Sequence, residues 1–127
     1  MRVTIEPVTR EIAQSRINSY ANASGDHNPI HVDEVFAKAS PFNGTIAHGM
    51  FVLALIGEMM HGAFGERWRS SGKLKVRFKA PTRPGDDVTA SAVLSKEQGG
   101  VTEYAVQCAT QAGEIVIEGR ASVAVAG

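Results

Sequence analysis

The chain has 127 residues, which is the scale of one domain, and it is expected to fold as a single unit over 1–127. Thirteen Lys and Arg balance thirteen Asp and Glu, and this zero net charge argues against a general nucleic-acid binder and against an acidic disordered chain. At 43% hydrophobic and 20% charged residues the composition is that of a globular protein, although a domain this small leaves much surface exposed, which pairing of copies would relieve.

The single cysteine, Cys108, excludes an intrachain disulfide and fits a reducing cytoplasm. Met1 to Arg16 carries charges throughout and has no apolar stretch of signal-peptide type. The longest uncharged run lies between Lys38 and Glu58. Only Met50 to Ile56 within it is densely apolar, far short of the ~20 residues a membrane span requires.

In chain order, Val3 to Ile5 reads as a short leading strand. Ile12, Ala13, Ile17, Tyr20 and Ala21 follow helical spacing, which predicts a helix over Thr9 to Ser24 that Gly25 stops. Gly25 to His31 is expected to be irregular, because Pro29 lacks an N–H and pushes Asn28 out of the α region. A short helix over Asp33 to Ala39 and a turn over Ser40 to Thr45 follow. Ala47 to His61 is apolar nearly all round, which predicts a helix surrounded by other structure.

The period then changes. Leu74, Val76, Phe78 and Ala80 alternate with Lys73, Lys75, Arg77 and Lys79, the pattern of a half-buried strand. Pro81 to Gly85 is a turn, and Val88, Ala90, Ala92 and Leu94 alternate again. Gly99-Gly100 marks a hairpin into a strand over Val101 to Thr110, and a last strand over Ile115 to Val125 follows the turn at Ala112-Gly113. Helices followed by an antiparallel meander define an α+β fold in which one apolar helix needs a sheet to wrap it.

The segment Gly25 to His31 holds an Asp and a His five residues apart on an irregular backbone. Asp26 and His31 can then converge on one substrate atom, as an acid–base pair requires. The bland alternative is that Asp26 caps a turn and His31 is a buried, hydrogen-bonded histidine. The surrounding string goes further. Tyr20-Ala-Asn-Ala-Ser-Gly-Asp-His-Asn-Pro-Ile-His-Val-Asp, then Phe36-Ala37, then Ile46-Ala-His-Gly-Met, resembles the MaoC-like dehydratase family, the (R)-specific enoyl-CoA hydratases. The likeness continues in Arg77-Phe78-Lys79-Ala80-Pro81 and Pro84-Gly85-Asp86, so that motifs cover about Tyr20 to Asp86.

The resemblance implies a hot-dog fold, with an antiparallel sheet around the helix Ala47 to His61, and a homodimer whose sheets join edge to edge. It implies a hydro-lyase that adds water reversibly to trans-2-enoyl thioesters, of coenzyme A or of an acyl carrier. Asp26 and His31 would be its catalytic pair, with Asn28 orienting one of them. Histidine as a residue type titrates near ~6.5, which suits proton transfer at neutral pH. Gly49, at the start of the apolar helix, would offer its N–H to the enolate oxygen, unless it serves only close helix–sheet packing. Phe42, Phe51 and Leu55 are expected along the acyl tunnel, and His48 is expected to line the cavity.

A metal is not expected. His27 and His31 stand four apart, but Asn28 replaces the Glu of a His-Glu-x-x-His zinc helix and Pro29 breaks the helix. No cofactor is expected either: no Gly-x-Gly-x-x-Gly or phosphate loop occurs, and coenzyme A enters as part of the substrate. Ser24 lacks the Gly-x-Ser-x-Gly setting of a nucleophile. Cys108 reads as a buried thiol, and Met59 and Met60 as core residues.

Between Arg67 and Arg83 lie seven basic residues and no acid: Arg67, Arg69, Lys73, Lys75, Arg77, Lys79 and Arg83. They read as a solvated sheet face, or in part, with Lys79 and Arg83 foremost, as contacts to coenzyme A phosphates. A hot-dog thioesterase and a non-catalytic acyl-thioester binder are the rival readings.

Overall fold

The computed structural model describes residues 3–124. Residues 3–7 have no regular structure, so Val3 to Ile5 is not a strand. The leading strand is β1 (Val8–Ile12), which starts only after Pro7, a residue with no N–H to offer a ladder. β1 also takes the first part of the predicted helix, because Val8 to Ile12 pair antiparallel with Ala90 to Asp86. Ala13 caps α1 (Gln14–Ser24), which buries Ile17 and Ala21.

One stretch of the loop expected to be irregular is helical: α2 (Pro29–Val32) is a single turn. Pro29 sits at its first position, where a missing N–H costs nothing. Asn28 stays outside the α region at ψ 129, as the following proline demands, and its side chain caps the turn by accepting from Ile30 N. Asp33 caps α3 (Glu34–Lys38) by accepting from Phe36 N.

The long apolar helix is α4 (Gly49–Phe64), later at both ends than the pattern predicts. It is not wrapped on all sides. Val52, Leu55, Ile56, Met59 and Met60 are buried, whereas Met50, Ala54, Glu58 and His61 form an exposed stripe one turn apart. Glu58 reaches from this stripe to an ion pair with Arg10 of β1. A short helix that the pattern does not reveal, α5 (Glu66–Ser71), leads into the remaining strands.

These are β2 (Lys73–Phe78), β3 (Asp86–Gln98), β4 (Val101–Thr110) and β5 (Ile115–Ala124). The predicted end of β5 at Val125 lies outside the described residues. The five strands form one antiparallel sheet in the order β1-β3-β4-β5-β2. β4 shows how it wraps: Thr102, Tyr104, Val106, Cys108 and Thr110 are buried towards α4, and the residues between them face outwards. With Val88, Ala90, Ile117, Ala121 and Val123 they close the core on α4, each large aliphatic side chain contributing about 1.5–3 kcal/mol. The expected half-buried β2 is less regular, since Phe78 is 55% exposed.

Cys108 is fully buried, and its Sγ lies 3.7 Å from the Val52 carbonyl of α4. Burial pushes its thiol up to about 12 from an ordinary 9.0. The native chain therefore holds this proton after the unfolded chain has lost it. The contribution is present below pH 9 and is lost as pH rises from 9 towards 12. A disulfide reagent at neutral pH is expected to leave the native protein untouched and to label one thiol in urea. Above pH 9 the unfolding midpoint should fall more steeply in the parent than in Cys108→Ala. Rapid native labelling would contradict this burial.

Candidate active site

Gly25 ends α1 in the left-handed region, at φ 81, where a side chain would be strained, and its N–H donates to Ala21 O. The chain turns there and presents Asp26. Ser24 Oγ accepts from Asp26 N, so Ser24 serves the turn. The Asp26 carboxylate accepts from Asn28 N at 3.2 Å. Asn28 thus touches both halves of the pair: its backbone orients Asp26, and its side chain caps the helical turn that carries His31.

His31 Nδ1 lies 2.8 Å from the carbonyl of Ile46. A carbonyl only accepts, so Nδ1 carries a proton, and in the neutral ring Nε2 keeps a lone pair. That Nε2 stands 3.9 Å from Asp26 Oδ2. The gap is too wide for a direct hydrogen bond, and it separates two acceptors. A water molecule donating to both is the group that satisfies such a gap. The Asp26 side chain is 54% exposed and that of His31 13%, so the pair sits at the mouth of the site.

The segment ahead of α4 is stitched to this loop by three hydrogen bonds. Ile46 N donates to Ile30 O, His31 Nδ1 to Ile46 O, and His48 Nε2 to Asp26 O at 2.9 Å. His48 is buried and stacks on His31 with ring centroids 3.9 Å apart, and Tyr20 packs against it at 4.8 Å. A second brace holds α2 from below. Gln14 donates to His31 O and accepts from Thr45 Oγ1, which also approaches Glu34 Oε2. Sequence reading missed Gln14 and Thr45 and gave Tyr20, which opens the motif string, no role, since nothing local marks contacts that cross 11 to 31 residues.

Gly49 opens α4, where the first N–H groups have no helical acceptor. It is exposed, and a Cβ built on it would stand 2.8 Å from the ring of Phe78. Both readings of this glycine thus have a physical basis: a free N–H and a close sheet contact. Beside it lies a mainly apolar cavity of about 350 Å³, lined by Phe42, Ile46, Gly49, Phe78 and Lys79 among others. Phe42 and Lys79 are thus both on its wall.

Other expected site residues are placed elsewhere. Phe51 does not line this cavity; it stacks on Tyr20 at 5.2 Å. Leu55 is buried in the core. Arg83 lies near Gly44, outside the cavity lining. Lys73, Lys75 and Arg77 point to the sheet face away from α4, in register with Ser122, Arg120 and Glu118, so the part of the basic run on β2 is an outer face. Lys79 also pairs with Glu118 at 3.5 Å.

His27 bonds to Asn22 on the surface and does not join His31. Asp26, His31 and His48 do bring three ligand-type atoms within 4.8 Å of one another. Their geometry fits a metal poorly. The two imidazoles are stacked at 28°, and a ring nitrogen binds zinc in its own plane at ~2 Å, well short of where two such planes meet.

A five-stranded antiparallel sheet wrapped on one long helix, with an Asp and a His side by side near the helix's N-terminal end, defines a hot-dog protein. The chain belongs to the MaoC-like family: the MaoC like domain matches residues 2–115. It is 38% identical over 125 residues to the (R)-specific enoyl-CoA hydratase of Rhodospirillum rubrum, covering 93% of this chain and 83% of that protein. It is 41% identical over 87 residues to 3-hydroxyacyl-thioester dehydratase Z of Mycobacterium tuberculosis, covering 65% of this chain and 58% of that protein. Among solved structures, the unliganded R-hydratase PhaJ1 of Pseudomonas aeruginosa superposes with a TM-score of 0.82 at 27% identity, over 98% of this chain and 81% of that one.

Proposed function

We propose that this protein is a hydro-lyase that adds water to trans-2-enoyl thioesters, forming (R)-3-hydroxyacyl thioesters, and runs the dehydration in reverse. The observation that carries the reading is the 3.9 Å gap between Asp26 Oδ2 and His31 Nε2, two acceptors that a single water can bridge. The (R)-specific hydratase and dehydratase relatives support it. The pair removes a proton from the water as its oxygen attacks the β carbon, and returns a proton to the α carbon. Negative charge collects meanwhile on the thioester oxygen. We assign its stabilisation to the N–H of Gly49, a type of donor worth ~2.7–4 kcal/mol. Only protons and water move, so the reaction calls for no redox group, and none of the residues above is assigned to a metal.

The apolar cavity beside Gly49 suits an acyl chain, and Lys79 on its wall suits a phosphate of coenzyme A or of a carrier arm. A cytoplasmic location belongs to the same reading and is supported by the unpaired, buried Cys108. Turnover of crotonyl-CoA, followed by loss of enoyl absorbance and by chiral analysis of the product, tests the whole. Release of free coenzyme A in its place would make the protein a thioesterase. Tight binding without turnover, across chain lengths, would make it an acyl-thioester binder.

Gly49→Ala is expected to lower kcat/KM for crotonyl-CoA by about 10-fold or more, because the methyl group crowds the approach to the helix N-terminus. The melting temperature should move little, since the atom that the new Cβ meets belongs to the half-exposed ring of Phe78. A large loss of stability with unchanged turnover would leave Gly49 a packing residue only.

A homodimer joined along the free edge of β2 completes the proposal. Phe78 on that strand and Met50 on α4 are 55% and 60% exposed and flank the cavity side of the chain, and an uncovered strand edge is open to pairing. Sedimentation equilibrium showing a monomer at assay concentration would remove this part.

A further inference from the structure

His48 holds more of the site than a cavity wall would. It stands at the N-cap of α4, yet its side chain caps nothing there. Its Nε2 instead donates to the backbone carbonyl of Asp26, and its ring lies against the ring of His31. One side chain therefore grips the backbone of one member of the pair and backs the imidazole of the other. Tyr20 closes the far part of this column, at 55° to the His48 ring. Because Nε2 carries the proton, Nδ1 is left as an acceptor, and it is buried with no hydrogen-bond partner among the described residues.

That orphaned nitrogen argues against a packing role alone. A phenylalanine would fill the same space without burying an unsatisfied polar atom. What phenylalanine lacks is the N–H that reaches Asp26. From this we infer that His48 is a positioning residue, which sets the Asp26–His31 separation by donating to the Asp26 carbonyl while supporting the His31 ring. The inference rests on the hydratase reading for its kinetic consequence, but not for its geometry.

Two substitutions separate the N–H from the ring. His48→Phe keeps a stacked ring and loses the donor. His48→Gln loses the ring but places an amide N–H near the position of Nε2. With crotonyl-CoA as substrate, His48→Phe is expected to lose about 10- to 100-fold in kcat, the usual penalty for displaced catalytic groups, with KM within about twofold of the parent. Its melting temperature should stay within about 4 °C or rise. His48→Gln should recover most of the lost kcat. A His48→Phe protein with parental kcat would overturn the inference, and so would a His48→Gln protein as slow as His48→Phe.

The parent protein supplies a readout that needs no variant. Nitrogen-15 NMR of its histidines should show His48 fixed as the Nε2–H tautomer, with no solvent averaging. The Nδ1–H form, or an averaged signal, would refute the inference even if every variant failed to fold. Should the parent show no turnover, the hydratase reading fails by itself, and the tautomer still decides the geometric claim.

Discussion

Asp26→Asn is expected to lower kcat for crotonyl-CoA hydration by about 10²–10⁴-fold, the range of a lost acid–base group, while the protein keeps its melting temperature. The substitution isolates charge from shape. An asparagine oxygen can accept from Asn28 N as the carboxylate does, so the turn after Gly25 has no reason to open. The side chain is more than half exposed. What disappears is the proton acceptor that faces His31 Nε2 across the gap. A variant with near-parental turnover would show that this carboxylate is a turn residue, the bland alternative its spacing leaves open.

His31→Ala is expected to cost a similar factor in kcat and, unlike Asp26→Asn, some stability. The ring is mostly buried, donates to Ile46 O and stacks on His48, so its removal leaves a carbonyl unpaired and a void beside a buried ring. One lost hydrogen bond to a buried group costs about 1–3 kcal/mol, which for a domain of this size lowers the melting temperature by roughly 3–10 °C. The double variant sharpens the test. If Asp26 and His31 act on one water, the pair together should be little worse than either alone. Multiplying losses would mean two independent roles.

The two substitutions draw on different strata of the molecule. The Gly-Asp-His-Asn-Pro-Ile-His run is local, and local rules govern much of it. Gly25 is needed for a left-handed cap, Pro29 keeps Asn28 extended, and the same proline can open a helical turn. That last property is where pattern reading stopped short. Proline excludes a helix interior but favours a first position, and only the Asn28 cap and the packing of α1 on α2 decide between them. The same limit explains β1. Ile12 and Ala13 fit a helical stripe, yet pairing with Asp86 to Ala90, some eighty residues on, makes Val8–Ile12 a strand. A contact so distant leaves no periodic mark on the segment that makes it.

Distance along the chain also separates what was legible of the site from what was not. Asp26, His31 and Gly49 stand in motifs. The brace of Gln14, Thr45 and Glu34 beneath His31 does not, because each member is an ordinary polar residue whose partner lies in another element. The basic run from Arg67 to Arg83 looked like one feature and divides in space. Strand alternation sends Lys73, Lys75 and Arg77 to the outer face, and only Lys79, just past the end of β2, reaches the cavity.

The balanced charge, the shift from a 3.6-residue to a two-residue period and the Asp-His motif are properties of composition and local order. The sequence by itself therefore determined the fold class and the catalytic candidates. Only the tertiary structure decided that Asp26 and His31 face each other as two acceptors across a water-sized gap, and that a third residue, His48, spans both. Separations of a few ångströms are set by which elements pack together, and one end of each such contact is invisible from the other until the chain has closed.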